Sequence, residues 1–142
     1  MTNTIHVDIV SAEGEIFSGP AKMVFLPAAE GEIGVAPRHA PLLALLKAGE
    51  VRVQPAEGDE QSFYVGGGAL EVQPTKVTVL ADTAARAADL DEAAALAARQ
   101  RAEEALAGKI DKLEQAEALA ELARAAAQLK LIERLRKIRG GR

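Results

Sequence analysis

The chain has 142 residues, 27% of them charged and 49% apolar, a net charge of −4, and neither cysteine nor tryptophan. That length fits one ordinary domain or two small ones, and a core below about 80 residues is only marginally stabilising, so two halves would each need support from the other or from a partner. Zero cysteines exclude a disulfide framework and every thiolate metal site; no apolar run approaches the roughly 18 residues of a membrane span, and the start, Met1 to His6, has neither the basic nor the apolar region of an export signal, so a soluble, cytoplasm-facing protein is expected.

The averages conceal a break near residue 85. All six prolines, all four aromatics and nine of the twelve glycines precede residue 75, whereas residues 86–142 carry 17 alanines and no proline. Charge divides with composition: residues 1–85 hold five Lys/Arg against eleven Asp/Glu, net −6, and residues 86–142 hold twelve against ten, net +2. Two differently built domains, 1–85 and 86–142, are expected.

The first reads as sheet. Ile5, Val7 and Ile9 alternate with His6, Asp8 and Val10, the period of two that turns one face of a strand to a core. Glu13-Gly14 then punctuates, and Gly19-Pro20 closes a segment at Ile16-Phe17 ahead of Met23 to Leu26. Short apolar runs follow at 33–35, 51–53, 63–65, 70–72 and 77–80, separated by Gly, Pro or Asp clusters. With no stretch long enough for a helical crossover, the spacing implies an antiparallel sandwich or flattened barrel. Leu42 to Leu46 is compatible with a strand or with one helical turn. Gly66-Gly-Gly68 reads as a tight connection between strands, because neither a Lys-Ser/Thr pair nor a helix start follows it, as a phosphate cradle requires.

The second domain reads as an antiparallel two-helix hairpin, with helices at about 90–107 and 112–138. Asp89-Leu-Asp-Glu92 and Asp111-Lys-Leu-Glu114 each place an N-cap acid three residues before a glutamate, and Gly108 stands where a helix end favours positive φ. The second helix carries a three-to-four-spaced stripe of Leu119, Leu122, Ala126, Leu129, Ile132, Leu135 and Ile138; the first offers only Leu90, Leu96 and Leu106 among alanines. Alanine faces bury little area, so the helices hold each other weakly while high intrinsic propensity keeps each one formed. That combination suits a movable element.

Residues 124–142 hold Arg124, Lys130, Arg134, Arg136, Lys137, Arg139 and Arg142 against Glu133 alone. Bases late in a helix complement its dipole, and they also fit docking on an acidic protein surface. Nucleic acid is not expected as a partner, since the chain is acidic overall and this half has no aromatic to stack on bases. No catalytic constellation is legible. His6 and His39 lack the spacing of a zinc helix, and Glu30-Gly31-Glu32 reads first as a turn with two solvated carboxylates. The residues by themselves indicate a non-catalytic interaction protein with an acidic β domain and a basic helical arm, without cofactor or metal.

The strings Val10-Ser-Ala-Glu-Gly-Glu-Ile-Phe-Ser-Gly19, EGEIGVAPRHAPLL at 30–43, LEVQPTKVTVLADTA at 70–84 and Asp89-Leu-Asp-Glu92 closely resemble the epsilon-subunit family of bacterial F-type ATP synthases, in order and over essentially the whole chain. The resemblance implies an α+β chain: an N-terminal antiparallel β-sandwich of about ten strands that binds the rotating gamma subunit and rests on the ring of membrane c subunits, then the helical hairpin. In that family the hairpin either folds back or extends into the catalytic alpha/beta head, where it blocks ATP hydrolysis. The implied role is a central-stalk rotor subunit without chemistry of its own. It would lie at the cytoplasmic face of the bacterial inner membrane, membrane-associated only through its partners. Carried over residue by residue, Glu30 and Glu32 are the c-ring contacts, Arg38 and His39 the gamma contacts, and Arg124, Arg134 and Arg136 the contacts to the catalytic beta subunits in the inhibited state. Some family members bind ATP through a motif of Ile or Leu, Asp, two variable residues, Arg and Ala; here Leu90-Asp91-Glu92-Ala93-Ala94-Ala95 puts alanine in the arginine's place. Leu90, Asp91, Arg101 and Arg124 remain as partial matches, but alanine supplies no charge-assisted hydrogen bond to a phosphate, so an ATP-sensing role is disfavoured.

Overall fold

The structure, a computed structural model, describes residues 3–140. Arg142, counted above in the basic tip, and Met1 and Thr2 lie outside these. Contacts group the chain into two compact units, Met1–Ala88 and Asp89–Arg142.

The first unit contains β1 (Ile5–Ser11), β2 (Gly14–Ala28), β3 (Gly31–Val35), β4 (Leu42–Pro55), β5 (Gln61–Gln73), β6 (Lys76–Ala81) and β7 (Ala84–Arg86), followed by a 3₁₀ turn at Ala87–Asp89. The strand order is β1-β6-β5-β4-β2-β3, with β7 beside β5, and β1 also pairs with β2. That second pairing closes β1, β6, β5, β4 and β2 into a flattened barrel. The alternation along β1 is realised: Ile5, Val7 and Ile9 are fully buried with Val77 and Val79 of β6, Val51 and Val53 of β4 and Phe63 of β5.

Two expectations need correction. The sheet is not wholly antiparallel, since β1 and β6 run parallel in register from His6↔Lys76 to Val10↔Leu80. A parallel pair needs a long connection, and here the intervening strands supply it in place of a helix. The strands among the described residues are also fewer and longer, seven rather than about ten, because runs that looked separate are single bent strands. Leu42 to Leu46, left open above, begins β4 and continues through Val51 and Val53. Gly19-Pro20 lies inside β2, which pairs with β1 through residues 14–21 and with β4 and β3 further on. Gly66 to Gly68 is likewise not a connection: it lies within β5, where the strand passes from β7 to β6. Gly68 has φ +137°, and a Cβ there would collide with the Leu80 carbonyl oxygen, so only glycine allows the bend.

The second unit is a hairpin of α1 (Glu92–Ala107) and α2 (Lys112–Gly140). Asp111 and Glu114 form the expected reciprocal cap: Glu114 N–H donates to Asp111 Oδ1 at 2.8 Å and Asp111 N–H to Glu114 Oε1 at 3.3 Å. The first helix is capped two residues later than expected, by Asp91, whose Oδ1 accepts from Ala94 N–H at 3.2 Å; Asp89 is held in the 3₁₀ turn. Gly108 does not use positive φ. It ends α1 in extended backbone, φ −91°, with its N–H donating to the Ala105 carbonyl.

The buried alanine pairs Ala95 and Ala102 of α1 and Ala118 and Ala125 of α2 mark the seam, and Leu131 of α2 is buried beyond them. Each pair is seven residues apart, two helical turns, so one narrow stripe per helix is covered. This shifts the face expected for α2: Leu119 is 51% exposed and Ile138 56%, and Leu96 of α1 is 41% exposed. Small side chains let the two backbones approach, and of the expected stripe Leu122, Leu129, Ile132 and Leu135 are half-buried beside them. Ion pairs cross the hairpin at Arg101–Glu121, 3.4 Å, and Arg136–Glu92, 2.7 Å.

Candidate functional site: the docking surfaces

The outward face of the sheet carries the largest exposed apolar side chains of the first unit. Leu45 of β4 is 69% exposed, Leu43 78% and Leu80 of β6 55%. Pairing aligns Leu45 with Ala69, Ala69 with Leu80 and Leu80 with Val10, one apolar row across four strands. The neighbouring row is Leu43, Glu71, Thr78, Asp8 and Ser18. A cluster of exposed leucines set in register is costly to leave in water and is the usual mark of an interaction surface.

The β2–β3 turn flanks this row. Ala29 N–H donates to the Leu45 carbonyl at 2.8 Å, and a groove of about 480 Å³ runs between Glu30 to Ile33 and Leu42 to Leu45. Glu30 and Glu32 therefore share one groove wall, both exposed. They differ in their partners: Glu32 faces the Arg52 guanidinium at 3.4 Å, whereas Glu30 makes no ion pair or hydrogen bond among the described residues. Arg38 and His39 lie in the β3–β4 loop. Arg38 has φ +67° and its N–H donates to the Pro74 carbonyl at 2.9 Å, pinning the loop to the β5–β6 turn. His39 is half-buried with Nδ1 2.7 Å from the Ala40 carbonyl. The loop runs straight into Leu42 to Leu45.

A polar cluster that the sequence did not announce stands at the other end of the outward face. Ser18 Oγ donates to Asp8 Oδ1 at 2.6 Å, His6 Nε2 stands 2.8 Å from the same oxygen and 3.2 Å from Ser18 Oγ, and Lys76 Nζ lies 3.2 Å from Asp8 Oδ2. The Ser18 hydrogen bond, with help from Lys76 and His6, outweighs desolvation and holds the Asp8 carboxyl at about 2. The residue types are those of a hydrolytic triad, but the wiring is not. A triad places histidine between serine and aspartate, one ring nitrogen for each. Here one nitrogen meets both, and the serine proton already points at the carboxylate. The cluster ties β1 to β2 and β6. His6 and Asp8 two apart on a strand share a face, which was legible; Ser18 and Lys76 arrive by register, which was not.

In the second unit the partial ATP-motif residues do not converge. Asp91 is occupied as the α1 cap, with Leu90 just ahead of the helix. Arg101 lies ten residues beyond Asp91, about 15 Å along the axis, and pairs with Glu121. Arg124 lines a groove near the hairpin turn with Ala105, Glu114, Glu117 and Glu121. Among the bases of the tip, Arg136 is engaged by Glu92, which raises its already high pKa, and Lys137 by Glu133 at 3.5 Å; Arg134 is half-buried on α2. Among the described residues no group of three or more His, Asp or Glu stands where it could hold a metal ion, and no helix is long and apolar enough to cross a membrane.

The comparisons with known proteins bear on both units. Residues 4–87 match the family model described as ATP synthase, Delta/Epsilon chain, beta-sandwich domain, and residues 88–133 match its long alpha-helix domain. The chain is 66% identical over 137 residues to the ATP synthase epsilon chain of Nitrosococcus oceani, covering 96% of this chain and 98% of the relative. It is 63% identical to that of Alkalilimnicola ehrlichii, covering 95% and 96%. Among solved structures, a chain of the Euglena gracilis mitochondrial ATP synthase, in an assembly of OSCP, F1 and c-ring, shares the fold with a TM-score of 0.78 at 18% identity, covering 89% of this chain and 80% of that one. Two consecutive family models and long, high-identity alignments rest on the same sandwich and hairpin described above, and the chain belongs to the ATP synthase delta/epsilon chain family.

Proposed function

We propose that the chain works as a non-catalytic rotor subunit of a proton-translocating F-type ATP synthase, joining gamma to the c ring and restraining ATP hydrolysis through its hairpin. The exposed leucines of the outward face are the observation that carries this reading: Leu45 and Leu80 share one cross-strand row with Ala69 between them, and Leu43 lies in the next row. Leu43, Leu45 and Leu80 form an apolar face bordered by the Arg38–His39 loop on the strand that follows it and by the Glu30–Glu32 turn on its flank. On this reading the leucine face and the Arg38–His39 loop meet gamma, and the acidic turn meets the polar loops of the ring. The hairpin suits a mobile arm because its seam is mostly alanine, with Leu131 the large side chain buried there, and its crossing ion pairs are exposed, contacts that release at modest cost. Arg124, Arg134 and Arg136 are the bases that would meet acidic residues of the catalytic beta subunits when it extends. Such a chain is peripheral, held at the cytoplasmic face of the bacterial inner membrane by its partners.

The test is gamma binding by the full chain carrying Leu45→Glu and Leu80→Glu. Both side chains are more than half exposed, so folding is expected to be unaffected. Each leucine would contribute about 1.5 kcal/mol or more once covered, so gamma affinity should fall at least tenfold. Unchanged gamma affinity in a folded double variant would refute this face as the docking surface.

A further inference from the structure

Three groups converge on the Arg52 guanidinium at the surface shared by β2, β3 and β4. Its Cζ lies 4.3 Å from the centroid of the Phe25 ring. Nη2 stands 3.4 Å from Glu32 Oε2 and 3.5 Å from Oε1, and Nη1 stands 3.6 Å from Glu60 Oε1.

The register explains the convergence. Gly34, Phe25 and Arg52 are cross-strand partners on β3, β2 and β4, and Glu32 lies two residues from Gly34, on the same face of β3. A Cβ at position 34 would fall 2.8 Å from Met23 Cε and 3.2 Å from Phe25 Cε1. The missing side chain is what lets the Phe25 ring lie over β3. The ring in turn supports a guanidinium that reaches across β2 to Glu32. The Arg52 side chain is only 26% exposed, against 57% for Glu32, so the cation is the fixed partner and the carboxylate the presented one. A carboxylate has about four acceptor sites, and Arg52 engages it from one side only.

We propose that Arg52 is a positioning residue: clamped between Phe25 and Glu60, it holds Glu32 in place for contact with a hydrogen-bond-donating or cationic loop of the ring. Glu30, in the β2–β3 turn just ahead of that strand, has no such holder and adapts on contact. A carboxylate already fixed has less rotamer freedom to lose when a partner arrives. The proposal rests on the Glu30–Glu32 turn being the ring-facing element, and the experiment separates the two.

Membrane vesicles carrying the synthase but depleted of this chain are titrated with full-length variants, and the concentration restoring half-maximal ATP-driven proton pumping is read. Partly exposed ion pairs set the scale, so Arg52→Gln and Glu32→Gln should each raise that concentration about two- to fivefold. The Arg52→Gln/Glu32→Gln pair should be no worse than the weaker single variant, whereas Glu30→Gln should add to Arg52→Gln. Arg52→Lys keeps the charge and the stem on Phe25 but not the fork, and should fall between wild type and Arg52→Gln. If Arg52→Gln and Arg52→Lys restore pumping like wild type while Glu32→Gln does not, the positioning role is overturned and the ring-facing turn stands. Should neither Glu30→Gln nor Glu32→Gln change the titration, the ring-facing reading fails, and the role of Arg52 with it.

Discussion

Replacing Asp8 by asparagine is expected to destabilise the sandwich at neutral pH and to do so less as the solution is acidified. Asp8 is held at about 2 in the fold against an ordinary 3.8, first by the Ser18 hydrogen bond and then by Lys76 and His6. A depressed carboxylate contributes stability that is fully present above its unfolded value and is lost as pH falls through its folded value, so the window runs from about pH 4 to pH 2. At about 1.4 kcal/mol per pH unit the shift corresponds to at most about 2.5 kcal/mol. The cluster lies on the outer surface and Lys76 is 52% exposed, so solvent screening lowers the expected loss to about 1–2 kcal/mol. Asparagine keeps an acceptor for Ser18 but gives Lys76 nothing to pair with. Urea unfolding followed by tyrosine fluorescence isolates the right unit, because the chain has one tyrosine and no tryptophan, and that tyrosine, Tyr64, is buried in β5. The difference between wild type and Asp8→Asn should hold down to about pH 4 and shrink between about pH 4 and pH 2. A difference that stays constant across this range, or one absent at pH 7, would refute the account of the cluster as an ionic tie.

Two further outcomes follow from the hairpin. Removing residues 124–142 takes away most of the basic arm while leaving the sandwich untouched, so ATP hydrolysis by the assembled head should rise with gamma binding intact; hydrolysis at the level of the full-length chain would count against the restraining role. Isothermal calorimetry of the isolated chain with ATP should show no micromolar binding, because Ala94 replaces the motif arginine, Asp91 is occupied as a helix cap and Arg101 lies about 15 Å further along the axis; a micromolar dissociation constant would reinstate the ATP-sensing reading.

Much of the organisation was open to reading from the residues alone. Alternation at Ile5, Val7 and Ile9 marked β1, the Asp111–Glu114 spacing marked the start of α2, and the compositional break separated sheet-forming from helix-forming residues, since all of these are local preferences of backbone and side chain. Errors gathered where an element's course depends on its neighbours. Asp89 and Asp91 have equal capping chemistry, and the position of the 3₁₀ turn decided between them. The stripe expected on α2 is half-buried at Leu122, Leu129, Ile132 and Leu135 and exposed at Leu119 and Ile138, because Ala118, Ala125 and Leu131 take the seam.

The sequence by itself determined the two units, their composition and the β2–β3 turn at Glu30, though not that Glu32 lies in β3 and pairs with Arg52, and its resemblance to a known family identified the assembly. Only the tertiary structure decided which strands are neighbours. That register set Leu45, Ala69, Leu80 and Val10 in one row, drew Ser18 and Lys76 onto Asp8, and brought Arg52 to Glu32 across β2. The physical reason is that a strand's own residues dictate which face is apolar but not what lies beside it. Partners distant in the chain meet through cooperative closure of the whole sheet, so the docking face and its supports exist only once the barrel has closed.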